Sequence, residues 1–239
     1  MNDQTTTART TGAWYLGLAI TGMLGFLVIR PEIWIDNDPA ATLAHLQDRE
    51  GLARLGVGLE MGIVVTQALA AVWFYKLYRT VNHVAGVAVA IFGIVNAVAI
   101  MASAVFMTTA LAIAGDPSLA PSGDAQGTVG LLHQLSSVSW GVGALFFGLW
   151  LIPMGWGAIT SSRFPGALGW LLAAGGVGYI ISAFVEYALV DAPGFLVDLL
   201  TFPASIAEFW MIGYLLVRGI RPMPAATRPA SSTTVAATA

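Results

Sequence analysis

The sequence predicts an all-α fold, a polytopic membrane helical bundle with six transmembrane helices and a short amphipathic helix in the first outer loop. Three observations carry that reading. Of 239 residues, 57% are hydrophobic and only 10% charged, and mean hydropathy is +0.77, whereas about 25% charged residues is usual in soluble domains. The apolar residues fall into six runs, and a helix needs about 20 such residues to cross a bilayer. Glutamate interrupts those runs in only three places, Glu60, Glu186 and Glu208, and an acid held inside a bilayer marks a site or a partner.

Taken in order, the runs cover residues 13–29, 52–75, 84–114, 129–159, 166–190 and 196–217. The third and fourth exceed the spanning length, so they should tilt or protrude. The first ends in Ile29, Arg30 and Pro31 without a small-x-small cleavage site, which predicts a retained span rather than a signal peptide. Between the first two runs, Asp38 followed by Pro39 is a helix start, an acceptor at the N-cap and a residue with no N–H at the first helical position. A helix over 39–50 should follow, with Leu43 and Leu46, and Ala40 at its margin, on the apolar edge. It would either cover loop backbone or gate a cavity. The division expected is a cytoplasmic N-terminal segment over 1–12, the membrane domain over 13–218, and a disordered cytoplasmic tail over 219–239, rich in Pro, Ala, Ser and Thr.

Orientation follows from the basic residues. If the spans alternate, Arg9, Lys76, Arg79, Arg163, Arg218, Arg221 and Arg228 share one side, while Arg30, Arg49 and Arg54 on the other are offset by Glu32, Asp36, Asp38, Asp48 and Glu50. The positive-inside rule then places both termini in the cytoplasm of a multi-pass protein of the cell membrane. The net charge of −3 leaves no basic stripe for nucleic acid. Membrane lipid is the expected partner, with a small-molecule ligand as a further one.

The absence of cysteine removes disulfides, thiolate nucleophiles and thiolate metal sites. The three histidines, His45, His83 and His133, fall in an outer loop, an inner loop and a span, which argues against a haem or zinc site. No metal and no cofactor is expected.

Helical spacing sorts the polar residues of the spans into faces. Gly56, Glu60, Ile63 and Gln67 share a stripe in the second span, Asn96 and Ser103 in the third, and His133, Ser137 and Trp140 in the fourth. Tyr179, Ser182 and Glu186 stack in the fifth, and Thr201, Ser205 and Glu208 in the sixth. Every span but the first thus offers a polar stripe to a common interior. At about 1.5 Å per residue, Glu60 lies roughly 12 Å below the outer end of its span, His133 about 6 to 9 Å, and Glu208 near the midplane. Glu208, Glu60 and His133 are expected to approach one another inside the bundle, with Gln67, Ser103, Ser205 and Tyr179 as further candidates for a ligand or proton site. Glu186 lies near the surface. The Gly58/Gly62 pair and Gly175, Gly176 and Gly178 point to close helix packing, Trp34, Trp73, Trp156 and Trp170 to interfacial anchors, and Glu50 with Arg54 to a local salt bridge.

The segments FFGLWLIPMGW, SSRFPGALGWLLAAGGVGY and PASIAEFWMIGYLLVRG, with DPAATLAHLQDREGLARLGVGLE before them, resemble a bacterial membrane family, domain of unknown function 4386. The likeness runs from the first span to Arg218 and is carried most by Phe147 and Gly148, the turn around Arg163 and Pro165, Gly178 with Tyr179, and Glu208. It implies a multi-span inner-membrane protein and no activity. The chain departs from it at Gly93, Asn96 and Ala97, where the resemblance implies a basic and an acidic residue.

Three function classes fit these residues. One is a binding or transport module with an outer-facing polar cavity for a small solute, proton or lipid head group. The second is a structural or sensory subunit whose polar residues only hold the bundle together. The third, an intramembrane enzyme using His133 with a carboxylate, lacks a nucleophile turn and metal-ligand spacing. A cavity reaching Glu208 favours the first, and a dry, fully paired interior the second.

Overall fold

The computed structural model describes residues 3–189 and 193–221, and every regular element among them is helical. The first span is compound. Helix α1 (Asp3–Gly22) widens into a π-helical turn at Met23–Ile29 and ends in α2 (Arg30–Ile33). It begins ten residues before the apolar run, because Thr7, Ala8 and Thr11 are buried and the two threonine hydroxyls bond back to the preceding turn of the helix. A loop leads to α3 (Pro39–Asp48), and then come five long helices, α4 (Glu50–Tyr78), α5 (His83–Gly115), α6 (Ala125–Ser161), α7 (Gly166–Ala188) and α8 (Gly194–Val217). With 33 and 37 residues, α5 and α6 measure about 50 and 55 Å at 1.5 Å per residue, far longer than a hydrocarbon layer of about 30 Å.

Each span packs on its neighbours in sequence, and α8 closes back on α1, so the six form a ring. Large apolar side chains such as Val65, Val105, Phe184 and Phe202 point away from it. Six apolar helices with such a perimeter make this an integral multi-pass membrane protein. Both described ends of the chain meet at one end of the ring. There Arg163 donates to Gln4, its carbonyl accepts from Tyr214 Oη at 3.1 Å, and Arg221 N–H donates to the same carbonyl.

Helix α3 lies across the opposite end. Asp38 caps it by accepting from Ala41 N–H at 2.9 Å, Leu46 is buried, Leu43 packs on the same apolar cluster, and Gln47 Nε2 donates to Ala114 O at the end of α5. Ala40 is exposed and Thr42 is buried in its place, because Thr42 Oγ1 accepts from Ile35 N–H at 3.0 Å and ties the preceding loop to the helix.

Glycine sets the spacing between α6 and α7. Gly148 and Gly155 on α6 face Gly176 and Gly169 on α7, so close that a Cβ on Gly148 would lie 2.6 Å from Gly176 O and one on Gly176 would lie 2.6 Å from Gly148 O. Gly175 packs on Ala204 and Gly178 on Leu200 of α8. Between α1 and α4 the device is reciprocal, Gly17 against Thr66 and Gly62 against Thr21. Gly58, expected to pair with Gly62, has open space beside it.

The expected tail from residue 219 begins as packed chain. Gly219 takes φ +71, its N–H donates to Tyr214 O, and Ile220 is buried against the bundle. The rest of that tail, beyond Arg221, lies outside the described residues, as does Asp191.

Candidate functional site

The interior holds two apolar cores. One, toward the termini, includes Tyr15, Ile63, Ile100 and Trp150, and the other, beneath α3, includes Ile29, Trp34, Ala53 and Met107. A polar layer separates them. It is built on Glu60 of α4, whose Oε1 accepts from Arg30 Nη1 at 3.3 Å, Trp140 Nε1 at 3.1 Å and Ser103 Oγ at 3.2 Å. Arg30 also donates to Ser136 and Ser137, each at 3.1 Å, and the Ser103 and Ser136 hydroxyls are 2.7 Å apart. The guanidinium sits between the Phe26 and Trp34 rings, 5.8 and 6.0 Å from their centroids, contacts that suit a weakly hydrated cation. Four spans thus converge on one buried ion pair.

His133 lies above this layer. Its ring stacks on Trp34 at 4.7 Å and Nε2 is 3.6 Å from Asp36 Oδ1, an ion-pair distance too long for a hydrogen bond. Trp34 is therefore a buried packing partner rather than an interfacial anchor, whereas Trp156 and Trp170 are exposed near span ends. Glu186 is exposed. Glu50 and Arg54 form the expected pair, Arg54 Nη2 lying 2.6 Å from Glu50 Oε1.

On the termini side of the polar layer the ring encloses a cavity of about 360 Å³, within the range of about 300 to 1,000 Å³ that holds small ligands. Its wall is mainly apolar, with polar groups from Tyr15, Gln67, Asn96, Tyr179, Ser205 and Glu208. Tyr15 Oη donates to Glu208 Oε1 at 2.6 Å, and Asn96 Nδ2 donates to Gly143 O at 2.8 Å. Gln67 is fully buried, and neither atom of its amide has a partner among the described residues. A buried amide left so costs about 1 to 3 kcal/mol. Trp140 is the link between the two regions, with its ring on the cavity and its Nε1 on Glu60.

The mouth lies in the seam between the first and last spans. Met23 and Leu27 of the π turn and Phe209 of α8 line the cavity yet are 47%, 63% and 54% exposed, so its rim belongs to the apolar perimeter. Nearer the termini the same seam is shut by Gly12 against Leu215 and Leu216. The π turn widens the helix where it borders the opening, a distortion often found beside functional sites.

The expected meeting of Glu208, Glu60 and His133 does not occur. Each has its own partners, and neither Glu60 nor His133 lines the cavity. The physical reason is Arg30, which reaches back from the end of the first span and neutralises Glu60 within the layer above. Gln67, Tyr179 and Ser205 do line the same cavity as Glu208, while Ser103 belongs to the Glu60 layer. The polar, outer-facing cavity expected from the stripes is instead an apolar chamber with a sideways mouth. Tyr15 and Arg30 escape sequence reasoning: a single tyrosine in an apolar run reads as apolar, and a basic residue at a span end reads as a flanking charge.

The chain matches the family described as Domain of unknown function (DUF4386) over residues 10–219. It belongs to that family. The match takes in all six spans, the Glu60 layer and the cavity, so both are features of the family domain in this chain. No curated protein and no solved structure was found to match.

Proposed function

We propose that the protein binds a small amphipathic molecule taken sideways from the bilayer, its apolar body in the chamber and its head group at Glu208, Tyr179 and Gln67. The observation that carries this reading is a chamber with a mouth on the apolar perimeter and an unpaired amide, Gln67, in its wall. A bundle that used its polar groups only as glue would pair such an amide, as the layer above pairs Arg30, Trp140, Ser103 and Ser136 with Glu60 or with one another. In this reading the Arg30 and Glu60 pair is the scaffold that holds the first span in place beside the mouth.

Filling the chamber tests it. In maltoside micelles an uncharged dansyl alkyl amide should bind and receive energy from Trp140, and Ala144→Phe, which projects a ring into the chamber, should remove that binding at unchanged melting temperature. Absence of binding, or binding indifferent to Ala144→Phe, defeats the proposal. Gln67→Leu separates ligand from fold: without ligand it should raise stability by about 1 to 3 kcal/mol, because an unpaired buried amide is replaced by an apolar group of like size, and it should weaken the probe. A loss of stability would mean that the amide is already satisfied.

The gathering of basic residues on one side supports a cytoplasmic location for both termini. With no native cysteine, exposed Gln126 and Thr80, at opposite ends of the ring, suit single-cysteine labelling. A cysteine at 126 should react with an impermeant thiol reagent on intact cells and one at 80 only after lysis. The reverse pattern inverts the orientation.

A further inference from the structure

The charge inventory of the chamber narrows what it takes. We infer that the ligand is a lipophilic cation, an ammonium or related nitrogen cation on an apolar body, with Glu208 as its counter-charge. The inference rests on the chamber being a binding site and adds the sign of the ligand's charge.

Among the described residues, Glu208 is the one carboxylate on the wall, and no Lys, Arg or His lines it. The bases nearest in the fold are engaged elsewhere, Arg30 with Glu60 and Arg163 with Gln4. Tyr15 gives Glu208 a single hydrogen bond, to Oε1, and Oε2 has no hydrogen-bond partner among the described residues. Glu208 lines the chamber and is half-buried, whereas its helix neighbours Ala204, Ala207 and Met211 are buried. An anion there would meet a carboxylate with no compensating base, in a setting of low dielectric where repulsion is strong.

The rest of the wall suits a cation as well. Tyr15, Phe26, Trp140, Phe147, Tyr179 and Phe209 all border the space, and Phe147 and Tyr179 stand edge to face at 5.1 Å. Aromatic faces attract ammonium groups, most strongly out of water. The remaining polar wall atoms include acceptors, Gln67 Oε1 and Asn96 Oδ1, the latter without a hydrogen-bond partner among the described residues while Asn96 Nδ2 donates to Gly143 O. A carboxylate, π faces and amide oxygens are together the chemistry that recognises a positively charged nitrogen, and the apolar mouth admits only one that carries a lipophilic body.

The test uses matched dansyl alkyl probes in maltoside micelles, one ending in trimethylammonium and the other in the uncharged tert-butyl isostere. The cation should bind at least about tenfold more tightly. Glu208→Gln should erase that difference while retaining the neutral probe, and Phe147→Leu should reduce it with folding intact by melting temperature. Equal affinity for both probes, or a cation preference untouched by Glu208→Gln, overturns the inference and leaves the chamber reading standing. Binding of neither probe defeats the chamber reading itself. Competition by phosphatidylethanolamine would assign the cation to a lipid head group, and its failure to compete would assign it to a free lipophilic amine.

Discussion

Arg30→Ala should lower stability by about 3 to 5 kcal/mol, because it strands the Glu60 carboxylate in an apolar interior with no counter-charge. Glu60 is 4% exposed and its second oxygen already lacks a partner, so the loss cannot be made good by water from outside the ring. Glu60→Leu should cost a similar amount by leaving the guanidinium unpaired. The double variant Arg30→Met with Glu60→Leu should recover most of the loss, since two apolar side chains remove both desolvation penalties at once. Thermal or denaturant unfolding in micelles, read as a double-mutant cycle, gives the coupling directly. Additive losses would show that the two residues do not act as a pair.

Gly148→Ala should destabilise by about 1 to 3 kcal/mol, the range for overpacking a tight interface. The added methyl would sit 2.6 Å from Gly176 O and 2.9 Å from Ile180 Cγ1, and a backbone carbonyl cannot rotate away as a flexible side chain can. Gly176→Ala meets Gly148 O in the same way and should cost as much. Gly58→Ala is the control, with open space where its methyl would go, and it should stabilise its helix by about 0.5 to 1 kcal/mol through lost chain entropy. Melting temperatures of the three variants decide the matter, and equal effects at Gly58 and Gly148 would overturn the packing argument.

What the sequence determined by itself is set by local chemistry. The six spans, the excess length of α5 and α6, the Asp38-Pro39 start of α3 and the burial of Leu46 all follow from composition, periodicity and capping, because bilayer and backbone impose the same rules on any chain. The stripe that placed Glu60 and Gln67 on one face of α4 was also legible, and both are buried. That stripe carried no information on which neighbour each residue meets. Seven residues apart on one helix, Glu60 enters an ion pair and Gln67 borders the chamber, and the difference lies in Arg30 and Tyr15 of a span that showed no polar stripe at all. Whether Arg30 turns outward to the interface or inward to Glu60 depends on the π turn, on Ser136 and Ser137 of α6 and on the rings of Phe26 and Trp34. Those groups lie far apart in the chain, so only the tertiary structure could join them. The chamber likewise belongs to no single helix. It exists because α1 and α8 touch at the termini end and part beyond Glu208, a matter of how six helices close a ring, which local sequence does not encode.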